Sequence, residues 1–139
     1  MMEIYGRPAA IIPEKIGIFE FCTLIYPDGT RRKEPLMQRS VMKRLAAERG
    51  IDLRLLRKGK KMQVLDLRDG YMLMPVKVRR AAPLYGYIDM DEIDCTVMDT
   101  DGTYVILLKS GVKIPIRWRI ARYADFYLAA LRKKNGEEK

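Results

Sequence analysis

Residues 93–116, IDCTVMDTDGTYVILLKSGVKIPI, contain the clearest sign of the fold. The Asp101-Gly102 pair stands between two strand-like runs, and both residues tolerate the positive φ of a tight hairpin turn. A further turn at Ser110-Gly111 leads into a third strand, so the segment is predicted to form a meander. Because Pro115 has no amide proton for a ladder, the third strand is predicted at a sheet edge, or with the proline at its end.

Two more Asp-Gly pairs, Asp28-Gly29 and Asp69-Gly70, indicate hairpins of the same kind nearer the N-terminus. The first hairpin is predicted to join strands at 18–26 and 30–36, and the second to join strands at 62–67 and 71–78. The middle of the chain is therefore predicted to be mainly antiparallel sheet.

Two segments show the helical spacing of apolar residues instead. The first begins at Ser40, a predicted N-cap, and runs to about Arg49, with Gly50 as its stop. Its predicted inward residues are Val41, Met42, Leu45 and Ala46, and its outward residues are Arg39, Lys43, Arg44 and Arg49. The second helix is predicted at about 117–134. The fold class is therefore α+β, in one domain over residues 1–134 with a disordered tail at 135–139.

Composition narrows the classes of function. With 139 residues and a 48% hydrophobic share, the chain is long and apolar enough to bury a core. It has no histidine, no C-x-x-C pair and no Gly-rich phosphate loop, so we predict no catalytic residue, no metal site and no cofactor. Cys22 and Cys95 are predicted to be reduced and buried. Neither a secretory signal nor a membrane helix is found, which predicts a cytoplasmic protein.

The distribution of charge points to a partner. The chain carries 27 Lys and Arg against 18 Asp and Glu, and the two signs are separated along the sequence. Residues 31–61 hold twelve basic residues against three acids, and residues 109–134 hold eight against one. Residues 87–108 hold six acids and no Lys or Arg. Because basic patches of this size attract polyanions, the predicted partner is double-stranded DNA.

Candidate contacts follow from the basic clusters. Lys side chains and those of the first helix mostly reach phosphates, whereas Arg near strand or helix ends can enter a narrow A·T-rich minor groove. The predicted phosphate contacts are Lys43, Arg44, Lys58, Lys60 and Lys61. The predicted groove contacts are Arg31, Arg32, Arg79, Arg80 and Arg117; Arg119 and Arg122 also lie in the basic run that opens the long helix.

The aromatic and acidic residues suggest contacts between subunits. Tyr123, Phe126 and Tyr127 give the long helix more apolar surface than one sheet face needs, so we predict a homo-oligomer that uses them. The acids at 89–101 lack the ligand order of an EF-hand loop and are predicted to form a solvated hairpin rim, or a rim that docks on a basic neighbour.

A set of short motifs adds a family resemblance. In chain order they are Ala9-Ala10-Ile11-Ile12-Pro13-Glu14, Arg39-Ser40, Arg49-Gly50, Met74-Pro75, Tyr87-Ile88, Gly111, Ile114-Pro115-Ile116 and Ala129-Ala130-Leu131-Arg132. Over about residues 4–134 their order resembles the competence transcription factor family, ComK. Tyr87 replaces a Trp of that family, and Arg117 replaces a polar residue. The resemblance implies an oligomeric transcription regulator that binds A·T-rich DNA largely through the minor groove.

Three other functions remain open from the sequence. An RNA-binding protein would have the same charge. A protein-interaction module, for example a phage inhibitor of a nucleic-acid enzyme, would use the acidic rim to bind a basic partner. An enzyme ranks last, because no pocket of converging polar groups is apparent from the residue pattern.

Overall fold

The computed structural model describes residues 4–56 and 63–136. Within these ranges the chain is α+β, with nine strands in two antiparallel sheets and three α-helices. In chain order the elements are β1 (Ala10–Ile16), β2 (Phe19–Ile25), β3 (Arg31–Glu34), α1 (Gln38–Ala47), α2 (Leu53–Leu56), β4 (Leu65–Asp66), β5 (Met72–Lys77), β6 (Tyr85–Asp89), a 3₁₀ turn (Met90–Glu92), β7 (Ile93–Met98), β8 (Tyr104–Leu108), β9 (Lys113–Pro115) and α3 (Ile120–Lys134). No helix in the described ranges is long and apolar enough to span a membrane.

The hairpins predicted from the Asp-Gly pairs are confirmed. They are β2–β3, β4–β5 and β7–β8, and each pairs antiparallel. The larger sheet has the order β3-β2-β1-β6-β5-β4, and the smaller has β7-β8-β9. Strand β9 lies at the edge of its sheet with Pro115 as its last residue, which agrees with the missing amide proton.

Both faces of the six-stranded sheet are covered. Because side chains alternate along a strand, Ile11, Leu24 and Leu73 lie on one face, which we call the α1 face, and pack against α1. The opposite face packs against the three-stranded sheet and α3, and we call it the α3 face. It carries Ala10, Ile25, Met74 and Ile88.

Helix α1 begins earlier than the sequence predicts. It starts at Gln38 after Met37, whose side chain makes no capping bond, so the prediction of Ser40 as N-cap is wrong. The amide of Ser40 already donates to the Met37 carbonyl at 3.0 Å within the first turn. The predicted stop is confirmed, because Gly50 has a φ of 71° and its amide donates to the Ala47 carbonyl at 3.0 Å.

The predicted inward residues of α1, Val41, Met42, Leu45 and Ala46, are all buried. Arg49 was predicted to face outward, and this is wrong. Its Nη2 donates to the Gly6 carbonyl at 3.1 Å, and its guanidinium carbon lies 4.7 Å from the centre of the Tyr71 ring. Arg49 therefore helps to hold the N-terminal segment on the domain.

Helix α3 crosses the sheet from one end to the other. Just before the helix, the Arg117 amide donates to the Lys77 carbonyl at the end of β5, at 2.8 Å. In its last turn, Lys134 Nζ reaches the Gly70 carbonyl at 3.3 Å and the Asp91 carboxylate at 3.0 Å. The sheet thus has a Lys77 end and a Gly70 end. Asn135 and Gly136 form a turn, and the rest of the predicted tail lies outside the described residues.

Candidate nucleic-acid interface

Cations from two segments, 77–80 and 117–122, meet at the Lys77 end of the sheet. Lys77 ends β5, and Arg79 and Arg80 follow it in the loop to β6. The hydrogen bond from the Arg117 amide to the Lys77 carbonyl brings the start of α3 to the same place. We call this group the basic end; it consists of Lys77, Arg79, Arg80, Arg117, Arg119 and Arg122.

The charges of the basic end are not neutralised by nearby acids. Among the described residues, no carboxylate lies within ion-pair distance of any of its six side chains. Asp125 lines a groove beside them, which runs between α3 and the β5–β6 hairpin. Hydrogen bonds from Thr103 lower the pKa of Asp101, and the positive charge of Arg117 lowers that pKa by a smaller amount. Because grouped like charges repel each other, an external anion would stabilise this arrangement.

Some basic residues elsewhere in the described chain are in ion pairs. Arg32 pairs with Glu34 at 3.2 Å, Lys113 with Asp99 at 3.6 Å, and Lys134 with Asp91 at 3.0 Å. These cations have their charge balanced within the domain. Other exposed cations, such as Arg39, Lys43 and Lys109, are in no ion pair with a described residue either, so the basic end is distinguished by the meeting of two segments at a helix N-terminus.

The start of α3 adds to the positive potential. The helix has fifteen residues and no acidic residue in its first turn. Its unpaired amides and aligned peptide dipoles give this terminus a partial positive charge. Arg119 and Arg122 lie beside it, so the backbone and the side chains attract anions to the same place.

An aromatic row forms the floor of the groove between α3 and the β5–β6 hairpin. The ring of Trp118 lies 5.9 Å from that of Tyr85 and 5.0 Å from that of Phe126. The guanidinium carbon of Arg122 lies 5.4 Å from the Trp118 ring centre. All three rings are half-buried. This packing orients Arg122 and occupies part of the Trp118 ring, which favours a supporting role over base stacking.

Of the predicted DNA contacts that the structure describes, three lie at the basic end: Arg79, Arg80 and Arg117. Arg31 and Arg32 are on β3, at the opposite edge of the large sheet. Arg32 is largely occupied within the domain, because its Nη1 donates to the Ile4 carbonyl at 2.9 Å and its guanidinium carbon lies 5.1 Å from the Tyr5 ring centre.

The remaining predicted phosphate contacts fall into two groups. Lys43 and Arg44 are exposed on α1, which covers the α1 face of the sheet rather than the α3 face. Burial raises the pKa of Tyr5, Glu34 raises it further, and Arg44 opposes them, which places Arg44 near that ring. Lys58, Lys60 and Lys61 lie outside the described residues.

The aromatic residues predicted for a subunit contact have different environments. Tyr123 is buried, its hydroxyl accepts a hydrogen bond from Thr96 Oγ1 at 3.2 Å, and its ring stacks on Tyr127 at 6.1 Å. Phe126 packs on Trp118. Tyr123 therefore packs within the subunit, and Phe126 and Tyr127, both half-buried, keep some surface for the predicted oligomer.

The burial of Asp89 and the exposure of Cys95 differ from what the sequence predicts. Asp89 was predicted on a solvated rim, but it is buried and accepts the Asp91 amide at 3.0 Å. Burial raises the pKa of Asp89 to about 6. Cys22 is free and buried as predicted, and burial raises its pKa to about 12, whereas Cys95 is free and exposed. Within the described ranges no three His, Cys, Asp or Glu side chains converge as a metal site.

Comparisons with known proteins give no relative. No protein-family model matches the chain, and neither the curated proteins nor the solved structures contain a significant match. The resemblance to the ComK family stays a prediction from the sequence. Function is therefore argued from the geometry of the basic end.

Proposed function

We propose that this protein binds double-stranded DNA through the basic end and regulates transcription in the manner of the ComK family. One observation carries the proposal. Six cations from two separate segments, 77–80 and 117–122, lie beside a helix N-terminus, and no carboxylate within the described residues pairs with them. A duplex supplies a regular array of phosphates, and neutralising several of them together releases condensed counterions.

The six side chains divide into two roles. Lys77, Arg119 and Arg122 border the groove at the start of α3, where phosphate oxygens gain from the helix terminus as well as from the side chains. Arg79 and Arg80 lie in the β5–β6 loop; Arg80 is exposed, and Arg79 is half-buried with its Nε donating to the Ala81 carbonyl at 3.3 Å. Their guanidinium groups suit a narrow A·T-rich minor groove, whose negative potential is enhanced.

Arg117 links the two roles. Its amide donates to the Lys77 carbonyl at the end of β5, so its backbone is fixed between β5 and α3, and Arg117 lines the groove there. A cation fixed by the fold loses little conformational freedom when it meets DNA. We therefore expect Arg117 to set the orientation of the protein on the duplex.

The acidic residues give less support to a protein-interaction module. Asp89 is buried, Asp91 pairs with Lys134, and Asp99 pairs with Lys113. These contacts leave fewer free charges at 89–101 for a basic protein partner than the sequence predicts. Double-stranded RNA lacks a narrow minor groove, so it is the weaker nucleic-acid candidate.

A paired substitution experiment tests the proposal. Changing Arg79 and Arg80 together to Ala should weaken binding to an A·T-rich duplex by about 10- to 100-fold, because losing the groove contact of this pair should cost about 1–3 kcal/mol in total. Fluorescence anisotropy of a labelled duplex measures the affinity.

The matched control changes Lys109 and Arg132 together to Ala. It removes the same charge from exposed positions outside the basic end. We expect this control to weaken binding by less than about threefold, through the long-range field alone. Equal losses in the two double variants would disprove the assignment of the interface.

A further inference from the structure

The β1–β2 hairpin extends beyond the sheet that contains it. Strand β1 pairs with β6 only at Ala10 and Ile11, and β2 pairs with β3 only over residues 22–25. The β1–β2 pairing continues to Ile16 opposite Phe19. Residues 14–21 therefore form a two-stranded ribbon, which we call the arm, and no described strand pairs with its outer edges.

The tip of the arm is apolar and exposed. Ile18 is 99% exposed, Ile16 71% and Phe19 64%. Gly17 has a φ of 60° and begins the two-residue turn, as in the Gly-first hairpin turn of type II′. A tight turn lets three neighbouring apolar side chains share the tip, and such a patch indicates a contact with another molecule.

The arm and the basic end lie at the same end of the sheet. Strand β1 is antiparallel to β6, and β6 is antiparallel to β5, so β1 and β5 both run toward the Lys77 end. Counting from the pair Ile11 and Tyr87, Ile16 lies about 10 Å beyond the level of Tyr85, at about 3.4 Å per residue.

The tip of the arm and part of the basic end also share a face of the sheet. Because side chains alternate along a strand, Ile16 is on the same face as Ala10, and Phe19 is on the same face as Ile25. Ala10 and Ile25 both belong to the core under α3. The side chains of Ile16 and Phe19 therefore point to the α3 face, where α3 begins with Arg119 and Arg122. The apolar tip and the cations that open α3, Arg119 and Arg122, are thus on the same face of the sheet. Lys77, by contrast, is on the same face as Leu73, which is the α1 face.

The charged residues of the arm do not oppose an anionic partner strongly. Lys15 lies opposite Glu20 in the ribbon, and the Glu14 carboxylate accepts a hydrogen bond from the Thr23 hydroxyl. On the neighbouring strand, Lys33 Nζ lies 5.7 Å from the Phe21 ring centre. Both acids are half-buried. The tip itself has no charged side chain, because it consists of Ile16, Gly17, Ile18 and Phe19.

From this arrangement, and resting on the proposed function, we propose that the arm enters the minor groove and places Ile18 and Phe19 between base pairs as an apolar wedge. Minor-groove proteins insert such side chains at base steps and bind the flanking backbone with cations. The minor groove of B-DNA is only about 6 Å wide, so the two-stranded ribbon must widen it as the wedge unstacks the bases, and the tip lies about 10 Å beyond the level of Tyr85. Pyrimidine–purine steps should be preferred, because they unstack most easily.

Unstacking by the wedge can be measured with 2-aminopurine, a base whose fluorescence rises when it leaves the stack. The probe is an A·T-rich duplex with one 2-aminopurine at successive positions, and the protein is the full chain. The wild type should raise the fluorescence at least about twofold at one or two adjacent steps. Ile18→Ser with Phe19→Ser should abolish the rise, whereas Ile18→Leu with Phe19→Leu should retain most of it.

The control is Leu55→Ser with Leu128→Ser, which removes two other exposed apolar side chains, 78% and 50% exposed, and should leave the rise unchanged. DNA binding without unstacking by the wild type would overturn the wedge and leave the proposed function intact. Absence of any DNA binding would instead refute the proposed function. Loss of self-association, or of binding to anionic lipid vesicles, in the serine variant without loss of unstacking would assign the arm to a second copy or to a membrane and would also overturn the wedge.

Discussion

At the scale of single residues, Asp89 is the clearest case of a charge held in an unfavourable place. It is buried near Asp91 and Glu92, and burial is the largest cause of its raised pKa. The backbone amide of Asp91 and the charge of Arg7 oppose that rise. Because the pKa rises from 3.8 to about 6 on folding, the folded state binds the proton more tightly than the unfolded state.

The sign of this shift gives a prediction about stability. The contribution of Asp89 is fully present below pH 3.8 and is lost as the pH rises to about 6. Asp89→Asn keeps an oxygen to accept the Asp91 amide but has no charge. At pH 8 we expect the variant to be more stable than the wild type by about 1–2 kcal/mol, after allowing for solvent screening.

Urea unfolding at several pH values measures the difference. The advantage of Asp89→Asn over the wild type should shrink toward zero below pH 3.8, where Asp89 is mostly protonated in both states. A difference that does not depend on pH would show that the amide changes packing rather than charge.

Arg49 shows what local patterns leave out. The sequence predicted Gly50 as the helix stop, because that stop depends on one residue's positive φ. It predicted Arg49 as solvent-facing, because helical spacing places it off the apolar stripe. The structure brings Tyr71 and Gly6 to it from distant parts of the chain. Contacts between residues so far apart in the sequence cannot be predicted from the pattern of neighbouring residues.

At the scale of elements, the success of the hairpin predictions has a simple cause. An Asp-Gly turn fixes the pairing of its two flanking strands, so β2–β3, β4–β5 and β7–β8 follow from neighbouring residues. The turn of β1–β2 has Gly17-Ile18, a Gly-first signal that the Asp-Gly pattern misses. The insertion of β1 between β2 and β6 depends on long-range packing, so the strand order was not predicted.

The contact between β1 and β6 leads to a second prediction. A Cβ atom on Gly86 would lie 3.1 Å from the Ile11 carbonyl oxygen and 3.2 Å from side-chain carbons of Ile12 and Val78. Because one of these neighbours is backbone, the strands would have to separate slightly. Gly86→Ala should therefore destabilise the domain by about 1–3 kcal/mol, and Gly86→Val by more.

Thermal or urea unfolding of the two variants checks this order. If Gly86→Ala proved as stable as the wild type, the close approach of β1 and β6 would not be tight in solution. The base of the arm would then be less firmly fixed to the sheet than the account of the wedge requires.

At the scale of the whole molecule, the sequence predicted basic clusters but not which of them meet. Arg117 is 37 positions from Arg80 and 38 from Arg79, and the hydrogen bond from the Arg117 amide to the Lys77 carbonyl brings the two segments together. Arg31 and Arg32 lie at the far edge of the same sheet. Charge counting along a chain measures attraction to a polyanion, whereas an interface needs tertiary contacts that join separate segments.

The choice of groove is a property of the whole complex and can be tested without changing the protein. Inosine·C pairs present the minor-groove pattern of A·T pairs but a different major groove. Replacing A·T by inosine·C in a bound duplex should therefore change the affinity by less than about threefold. Gel-shift titration of both duplexes, with a G·C duplex as control, measures this. Loss of binding on inosine·C, equal to that on G·C, would indicate the major groove.

The salt dependence of the affinity for duplex DNA tests the central claim most directly, because it counts the phosphates that the protein neutralises. The basic end has six cations, and contact of about five with phosphates predicts a slope of log K against log salt of about −4 to −5, from about −0.9 per phosphate. Wild-type protein should give this slope, and the variant with Arg119 and Arg122 changed to Ala should give a slope about two units shallower. A flat plot, or no binding at low salt, would contradict the account.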